Sequence, residues 1–197
     1  MRNREITREK IIRAAIEIGA QDGVGAVTTR KIAKSCSIAE GTIFFHFGTI
    51  KDLLSNAFMK IDKAKAEALS GIGRELFDHP DERMVTFEIW RTYLEFWLER
   101  PLETKYYASF FRSALYDYKV HTATEEDGLS TYIKYRELME GRRILDSAYQ
   151  IIGYVNIWQH IINTTINFAI KISAGEIEQS EEVKEFIFEL IFERLMK

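Results

Sequence analysis

Two prolines in 197 residues, Pro80 and Pro101, leave this chain almost nothing that would interrupt a helix. No stretch sustains the apolar–polar alternation of a half-buried strand, and apolar residues return instead every three or four positions. The pattern predicts an all-α fold. Helices are expected over Thr7 to Asp22, over two short stretches between Thr28 and Phe47, and over Thr49 to Gly73, Asp81 to Glu99 and Pro101 to Tyr116. Three more follow over Asp127 to Glu140, Ile144 to Ser173 and Ser180 to Lys197, with the segment from Asp117 to Asp127 as a mobile loop. Gly23 suits the stop of the first helix, Pro101 a first helical turn, and Gly175 a break after the long helix.

The stretch TTRKIAKSCSIAEGTIFFHFGTIKDLL, residues 28–54, is the most specific. Thr28 or Thr29 offers an N-cap, and Ile32, Ala33 and Cys36 then make one apolar face of a two-turn helix, leaving Arg30, Lys31 and Lys34 off that face. A second short helix from about Ala39 to His46 turns Ile38, Ile43 and Phe47 inward. Glu40, Thr42, Phe44, Phe45 and His46 lie outward or at the edge. Aromatic residues on the open side of so short a helix call for a docking partner, and two short helices joined by a tight turn is how a protein presents a helix to DNA. Ser37-Ile38-Ala39-Glu40 also reads as a capping box that would start the second helix earlier. Thr49, followed three places on by Asp52, caps the next helix, whose free N–H groups suit a phosphate.

Thr28, Thr29, Ile32, Ala33, Gly41, Thr42, Ile43, His46, Phe47, Asp52 and Leu53 together resemble the N-terminal domain of the TetR/AcrR family of bacterial transcription regulators. The resemblance covers about the first quarter of the chain. It implies a three-helix helix-turn-helix DNA-binding domain over residues 1–48, linked through the helix 49–73 to a C-terminal helical ligand-binding and dimerisation domain over 49–197. Departures from the pattern cluster where phosphates would lie. Ser37 replaces the turn glycine, Ala39 a common serine, Glu40 a common lysine, Phe44 a tyrosine and Ile50 a lysine, with Lys51 one place later. Weaker and more salt-sensitive DNA binding is therefore expected. Gly19, where the family has an aromatic residue, is expected to weaken the small core. The residues expected at DNA are Thr28, Thr29, Arg30, Glu40, Gly41, Thr42, Phe44, Phe45, His46 and Lys51. Glu40 either accepts from a cytosine amino group or is a tolerated solvent charge.

The charge distribution agrees with a DNA-reading N-terminus. The net charge is −3, yet residues 1–55 carry 9 Lys and Arg against 6 Asp and Glu, while the remainder carries 18 against 24. Arg2, Arg4 and Arg8 read as either a flexible arm along DNA or a disordered tail. One cysteine, Cys36, permits no internal disulfide and reads as a small buried hydrophobe in a cytoplasmic protein. The N-terminus lacks the apolar run of a secretory signal. Residues 147–170 carry no Asp, Glu, Lys or Arg but hold Gln150, Asn156, Gln159, His160, Asn163 and Asn167, which argues against a membrane span. The four histidines are scattered, and there is no Gly-rich phosphate loop, so no enzyme, metal or cofactor is expected.

The rest of the chain supplies an expected effector site and an expected interface. Trp90, Tyr93, Trp97, Tyr107, Phe110, Phe111 and Trp158, with the polar His160, Asn163 and Asn167, are candidates for a small-molecule pocket, although each also suits an ordinary core. In the last helix Glu185, Glu189 and Glu193 form one narrow face and apolar residues cover the rest, more than one neighbour satisfies. Ile151, Val155, Ile162, Phe186, Ile187, Leu190 and Ile191 are therefore expected in a homodimer interface. The sequence thus predicts a homodimeric repressor of a pseudo-palindromic operator, released by a small apolar or aromatic ligand. The alternative is a helical ligand-binding or interaction module whose DNA binding is weakened or lost.

Overall fold

A computed structural model describes residues 2–117, 151 and 153–196. The chain divides into two compact units, Met1–Lys63 with Leu102–Thr124, and Ala64–Pro101 with Glu125–Lys197. The expected helix over Asp127 to Glu140, most of the expected loop before it, and residues 144–150 of the expected long helix fall outside the described residues.

In the first unit α1 (Arg2–Asp22) is followed by a 3-10 turn (Val24–Ala26), α2 (Thr29–Cys36), α3 (Glu40–Phe47), the first part of α4 (Ile50–Ser70) and nearly all of a later helix, Pro101–Phe111. α1 buries Ile11, Ile12, Ala15 and Ile16 along one face and stops where Gly23 takes φ 85° and donates to the Gly19 carbonyl at 3.0 Å. It starts earlier than its sequence suggested. Arg4 lies over the Phe45 ring at 5.0 Å, and Arg8 lies over Phe47 at 5.0 Å and donates to Asn56 Oδ1 at 2.6 Å. The expected arm or tail is therefore a helical turn held by aromatic faces and an amide.

Gly19 proves to be a packing feature and not a weakness. A Cβ placed there would meet Tyr106 Cδ2 at 2.6 Å, because the Tyr106 ring from the helix Pro101–Phe111 occupies the space beside α1. Tyr106 is fully buried and donates to the Leu54 carbonyl at 2.9 Å, and burial pushes its phenol well above the usual range. The Val24 N–H donates to Ser109 Oγ at 2.9 Å, and Phe58 stacks on both Tyr107 and Phe110. A helix far along the chain thus completes the core of the N-terminal unit.

The second unit contains the end of α4, a single turn α5 (Arg74–Phe77), α6 (Glu82–Leu98), and two later helices. With Pro101–Phe111 as α7, these are α8 (Tyr154–Ser173) and α9 (Glu181–Phe192). Asp81 caps α6 by accepting from Met84 N–H at 3.0 Å, and Ser180 caps α9 by accepting from Val183 N–H at 3.3 Å. α6 packs against both α8 and α9. Lys184 is buried between them and reaches Glu181 at 2.7 Å and Glu95 at 3.3 Å; burial pulls its pKa down, but the two carboxylates outweigh that and raise it.

Two expectations here need correction. The long helix begins at Tyr154, after Gly153 at φ 78° and ψ 152°, a conformation that a helix start at Ile144 would not allow at that residue. Ile187 and Ile191 are 1% and 2% exposed within the chain itself, so they belong to the unit's own core and not to an interface. No helix among the described residues is long and apolar enough to cross a membrane.

Candidate nucleic-acid interface and ligand cavity

The candidate nucleic-acid face is built by the α2–turn–α3 segment. Thr28, in extended backbone, caps α2 by accepting from Lys31 N–H at 3.2 Å, which settles the choice between the two threonines. α2 ends with Ser37 in the left-handed region, φ 54° and ψ 49°, while the Ile38 N–H reaches back to the Ala33 carbonyl at 3.0 Å. Ser37 therefore closes α2 and does not open α3. α3 starts at Glu40 with Ala39 as an N-cap that makes no side-chain hydrogen bond, so the capping-box register is not adopted. The Glu40 carboxylate is used differently, accepting from the Thr29 hydroxyl at 2.5 Å and tying the start of α3 to the start of α2.

Ile43 and Phe47 anchor α3 in the core, and Gly48 at φ 72° ends it. What remains outside is chemically mixed. Phe44 and Phe45 are 49% and 68% exposed, Glu40 and Gly41 are exposed, and Thr42 and His46 are half-buried at the edge. Beside Gly41 there is open space where a Cβ would point, so no packing among the described residues demands a glycine there. Arg30 and Lys51 are exposed, Thr28 is exposed and Thr29 is half-buried. Thr49 caps α4, accepting from Asp52 N–H at 3.0 Å and donating to Asp52 Oδ2 at 2.7 Å. All ten residues expected at DNA lie in this one segment, from the cap of α2 to the first turn of α4.

Cys36 is buried, and burial pushes its thiol up despite the nearby Lys10. The Lys10 ammonium donates to the Cys36 carbonyl at 2.7 Å, a cation at the C-terminus of α2.

The second unit encloses a cavity of about 50 Å³, lined by Lys65, Leu69, Ile89, Trp90, Tyr93, Trp158, Ile161, Ile162 and Phe192. Trp90 is fixed by a buried hydrogen bond from its Nε1 to Thr165 Oγ1 at 3.0 Å. Three of the expected pocket residues, Trp90, Tyr93 and Trp158, meet here. The others do not. Trp97 is buried with its ring 5.7 Å from Tyr93 but does not reach the cavity, and Tyr107, Phe110 and Phe111 belong to the core of the first unit. His160 and Asn167 are exposed and Asn163 is half-buried off the lining. Helical geometry explains this, since His160 lies about 200° round α8 from Trp158, whereas Ile161 lies within about 60° of it. Periodicity from Trp158 was the available signal for Ile161; nothing in the sequence pointed to Lys65 or Leu69 of α4.

Large apolar side chains also remain outside the second unit. Phe186 and Leu190, one turn apart on α9, are 61% and 57% exposed, and Ile151 is 81% exposed. Ile162, expected in the same interface, instead lines the cavity. The Val155 side chain lies outside the described residues.

Residues 11–57 match the family model described as bacterial regulatory proteins, tetR family. The HTH-type transcriptional regulator UidR of Escherichia coli K12 is 37% identical over 62 residues, 32% of this chain and 31% of the relative. The chain thus matches less than a third of that relative's length. Over nearly the whole chain the likeness is one of fold. A TetR family transcription regulator from Marinobacter aquaeolei VT8 superposes with a TM-score of 0.71 at 19% identity, covering 98% of this chain and 97% of the other. A TetR-family regulator from Haemophilus influenzae Rd covers all of both chains with a TM-score of 0.63 at 16% identity.

Proposed function

We propose that this chain, whose residues 11–57 match the tetR family model, is a transcriptional regulator of that family: a cytoplasmic repressor that binds a pseudo-palindromic operator as a homodimer and is released by a small apolar ligand. The family is one of DNA-binding regulators and not of enzymes. The observation that carries the proposal is the outer face of α3, where Glu40, Gly41, Phe44 and Phe45 are exposed within the matched segment while Ile43 and Phe47 hold the helix in place. A helix that keeps two phenylalanines in solvent gains from a groove that covers them, and a thymine methyl is an apolar partner there. Arg30 and Lys51 flank it as phosphate contacts.

Dimerisation is supported by Phe186 and Leu190, a stripe that stays in water on the isolated chain. Two α3 helices related by a two-fold axis would read half-sites about 34–36 Å apart. The cavity of the second unit supports the effector part of the reading, and α4, which runs from Ile50 beside α3 to Ser70 past Lys65 and Leu69, is the covalent link through which an effector would act.

The competing reading, a ligand-binding module with weakened or lost DNA binding, has one observation in its favour: the carboxylate of Glu40 stands at the start of α3. Mobility shifts with a duplex from the upstream region of the protein's own gene, at about 50 and about 200 mM salt, test both. The repressor reading expects a sequence-specific shift that weakens with salt. Absence of any shift at the lower salt would sink it.

A further inference from the structure

Glu40 is exposed at the start of α3, yet its carboxylate is not free to swing. Its Oε2 accepts from the Thr29 hydroxyl at 2.5 Å, across the turn between α2 and α3. Thr29 is well placed to hold it. The Thr28 cap sets the first turn of α2, Thr29 is the next residue and half-buried, and a β-branched side chain has few χ1 choices. A carboxylate has about four acceptor sites, and the bond from Thr29 uses one of them. The group is therefore held but still within reach of a partner.

A fixed carboxylate is a selective probe of DNA, because it only accepts hydrogen bonds. Phosphates repel it, and the groups of a duplex that donate to it in the major groove are the cytosine N4 and adenine N6 amino groups. These two differ in their surroundings. The adenine amino group lies between two acceptors, its own N7 and the thymine O4, and both repel a carboxylate. The cytosine amino group has one acceptor beside it, the guanine O6, and a C–H on its other side. Gly41, next along α3, is exposed and brings no side chain that would hold the carboxylate off a base edge.

We infer that Glu40 is a specificity-determining residue that selects a cytosine in each operator half-site, with Thr29 as the positioning residue that aims it. The inference rests on the reading of α3 as the DNA-reading helix and deepens it by naming a base. Selection works by rejection as much as by attraction. Guanine and thymine present acceptors at the groove edge, so a carboxylate aimed at either is both unpaired and repelled. A carboxylate able to swing into solvent would escape that penalty, and the Thr29 hydroxyl removes the escape. Glu40 thus lowers affinity for DNA in general while raising discrimination at one base pair.

The test selects duplexes from a randomised pool with the full chain at about 50 mM salt, then measures the Kd of the selected duplex with each of the four base pairs at each half-site position. At one position the native chain is expected to prefer cytosine by about tenfold. Glu40→Gln is expected to move that preference to adenine, whose N6 and N7 suit a carboxamide, and to tighten binding to duplexes that lack the cytosine. Thr29→Val keeps the shape and removes the hydroxyl, and is expected to cut the cytosine preference to about threefold or less, whereas Thr29→Ser should retain it. A Thr29 with a merely structural role would weaken all sequences alike and leave that ratio unchanged. Identical base preferences in the native chain and Glu40→Gln, or a cytosine preference untouched by Thr29→Val, overturn the inference while DNA binding stands. Enrichment of no duplex by the native chain removes the DNA-binding reading and the inference with it.

Discussion

The two units put their distinctive residues on opposite sides of the packing. In the first, the residues proposed to act are the ones the core does not use: Phe44, Phe45 and Glu40 stay outside while Ile43 and Phe47 hold α3 from within. In the second, the residues proposed to act are themselves core, for Trp90 and Trp158 are 2% and 6% exposed and line the cavity from inside. A residue that violates packing is conspicuous, whereas a residue that obeys it looks like every other buried aromatic. An external site tolerates substitution without loss of fold, and an internal one does not. α9 combines both situations in a single helix, with Ile187 and Ile191 facing in and Phe186 and Leu190 facing out.

That helix gives the largest expected effect. If its outer stripe is the homodimer interface, Phe186→Glu sets a charge into an apolar contact on both protomers at once, and sedimentation at micromolar concentration should show a monomer in place of a dimer. The monomer should stay helical, because Phe186 is 61% exposed in the isolated chain. A native chain that already sediments as a monomer would remove the stripe from the argument.

Within the first unit the comparison is sharpened by Tyr106, which is internal where its neighbours in function are external. Tyr106→Ala removes a fully buried ring and its hydrogen bond to Leu54 and leaves a hole beside Gly19, at a cost of about 3–5 kcal/mol in urea unfolding. Gly19→Ala overpacks the same place, since its Cβ would meet the ring at 2.6 Å, and should cost about 1–3 kcal/mol. Unfolding midpoints close to the native value for both would mean that α7 does not complete this core.

The contrast also explains what the sequence could reveal. Thr28, Thr49 and Gly23 announce helix ends through their own chemistry, and the inward set Ile32, Ala33, Cys36, Ile43 and Phe47 follows from local periodicity alone. The filling of Gly19 by Tyr106 was hidden, because it joins residues 87 positions apart and no local pattern encodes such a contact. His160 and Asn167 were selected for their polarity, yet both face solvent, while Lys65 entered the cavity from a helix read only as a connector. Polarity marks residues that need a partner, and water is the usual partner.

Phe45 tests the external half of the comparison. At 68% exposure, Phe45→Ala should leave unfolding within about 0.5 kcal/mol of native. Its cost should appear instead in the mobility shift, as a loss of about tenfold in operator affinity, the size expected for one apolar contact with a base edge. A variant that is destabilised but binds operator normally would place Phe45 in the fold and not at the groove. The overlying Arg4, 5.0 Å from the ring, and the His46 ring, edge-to-face at 5.5 Å, are the contacts through which that outcome would arise.

Ser37 gives the smallest effect and separates turn geometry from DNA reading. It is the only non-glycine with positive φ among the described residues, and at φ 54° its Cβ carries a left-handed penalty of about 1–2 kcal/mol that glycine avoids. Glycine also adds backbone freedom to the unfolded chain, which returns about half of that gain. Ser37→Gly should therefore stabilise the chain by about 0.5–1 kcal/mol in urea unfolding. Because Ser37 is exposed and makes only backbone hydrogen bonds through its position at the end of α2, operator affinity should not change. A gain in affinity larger than the gain in stability would show that strain in the turn misplaces α3, and the external site would then depend on its scaffold as closely as the internal one does.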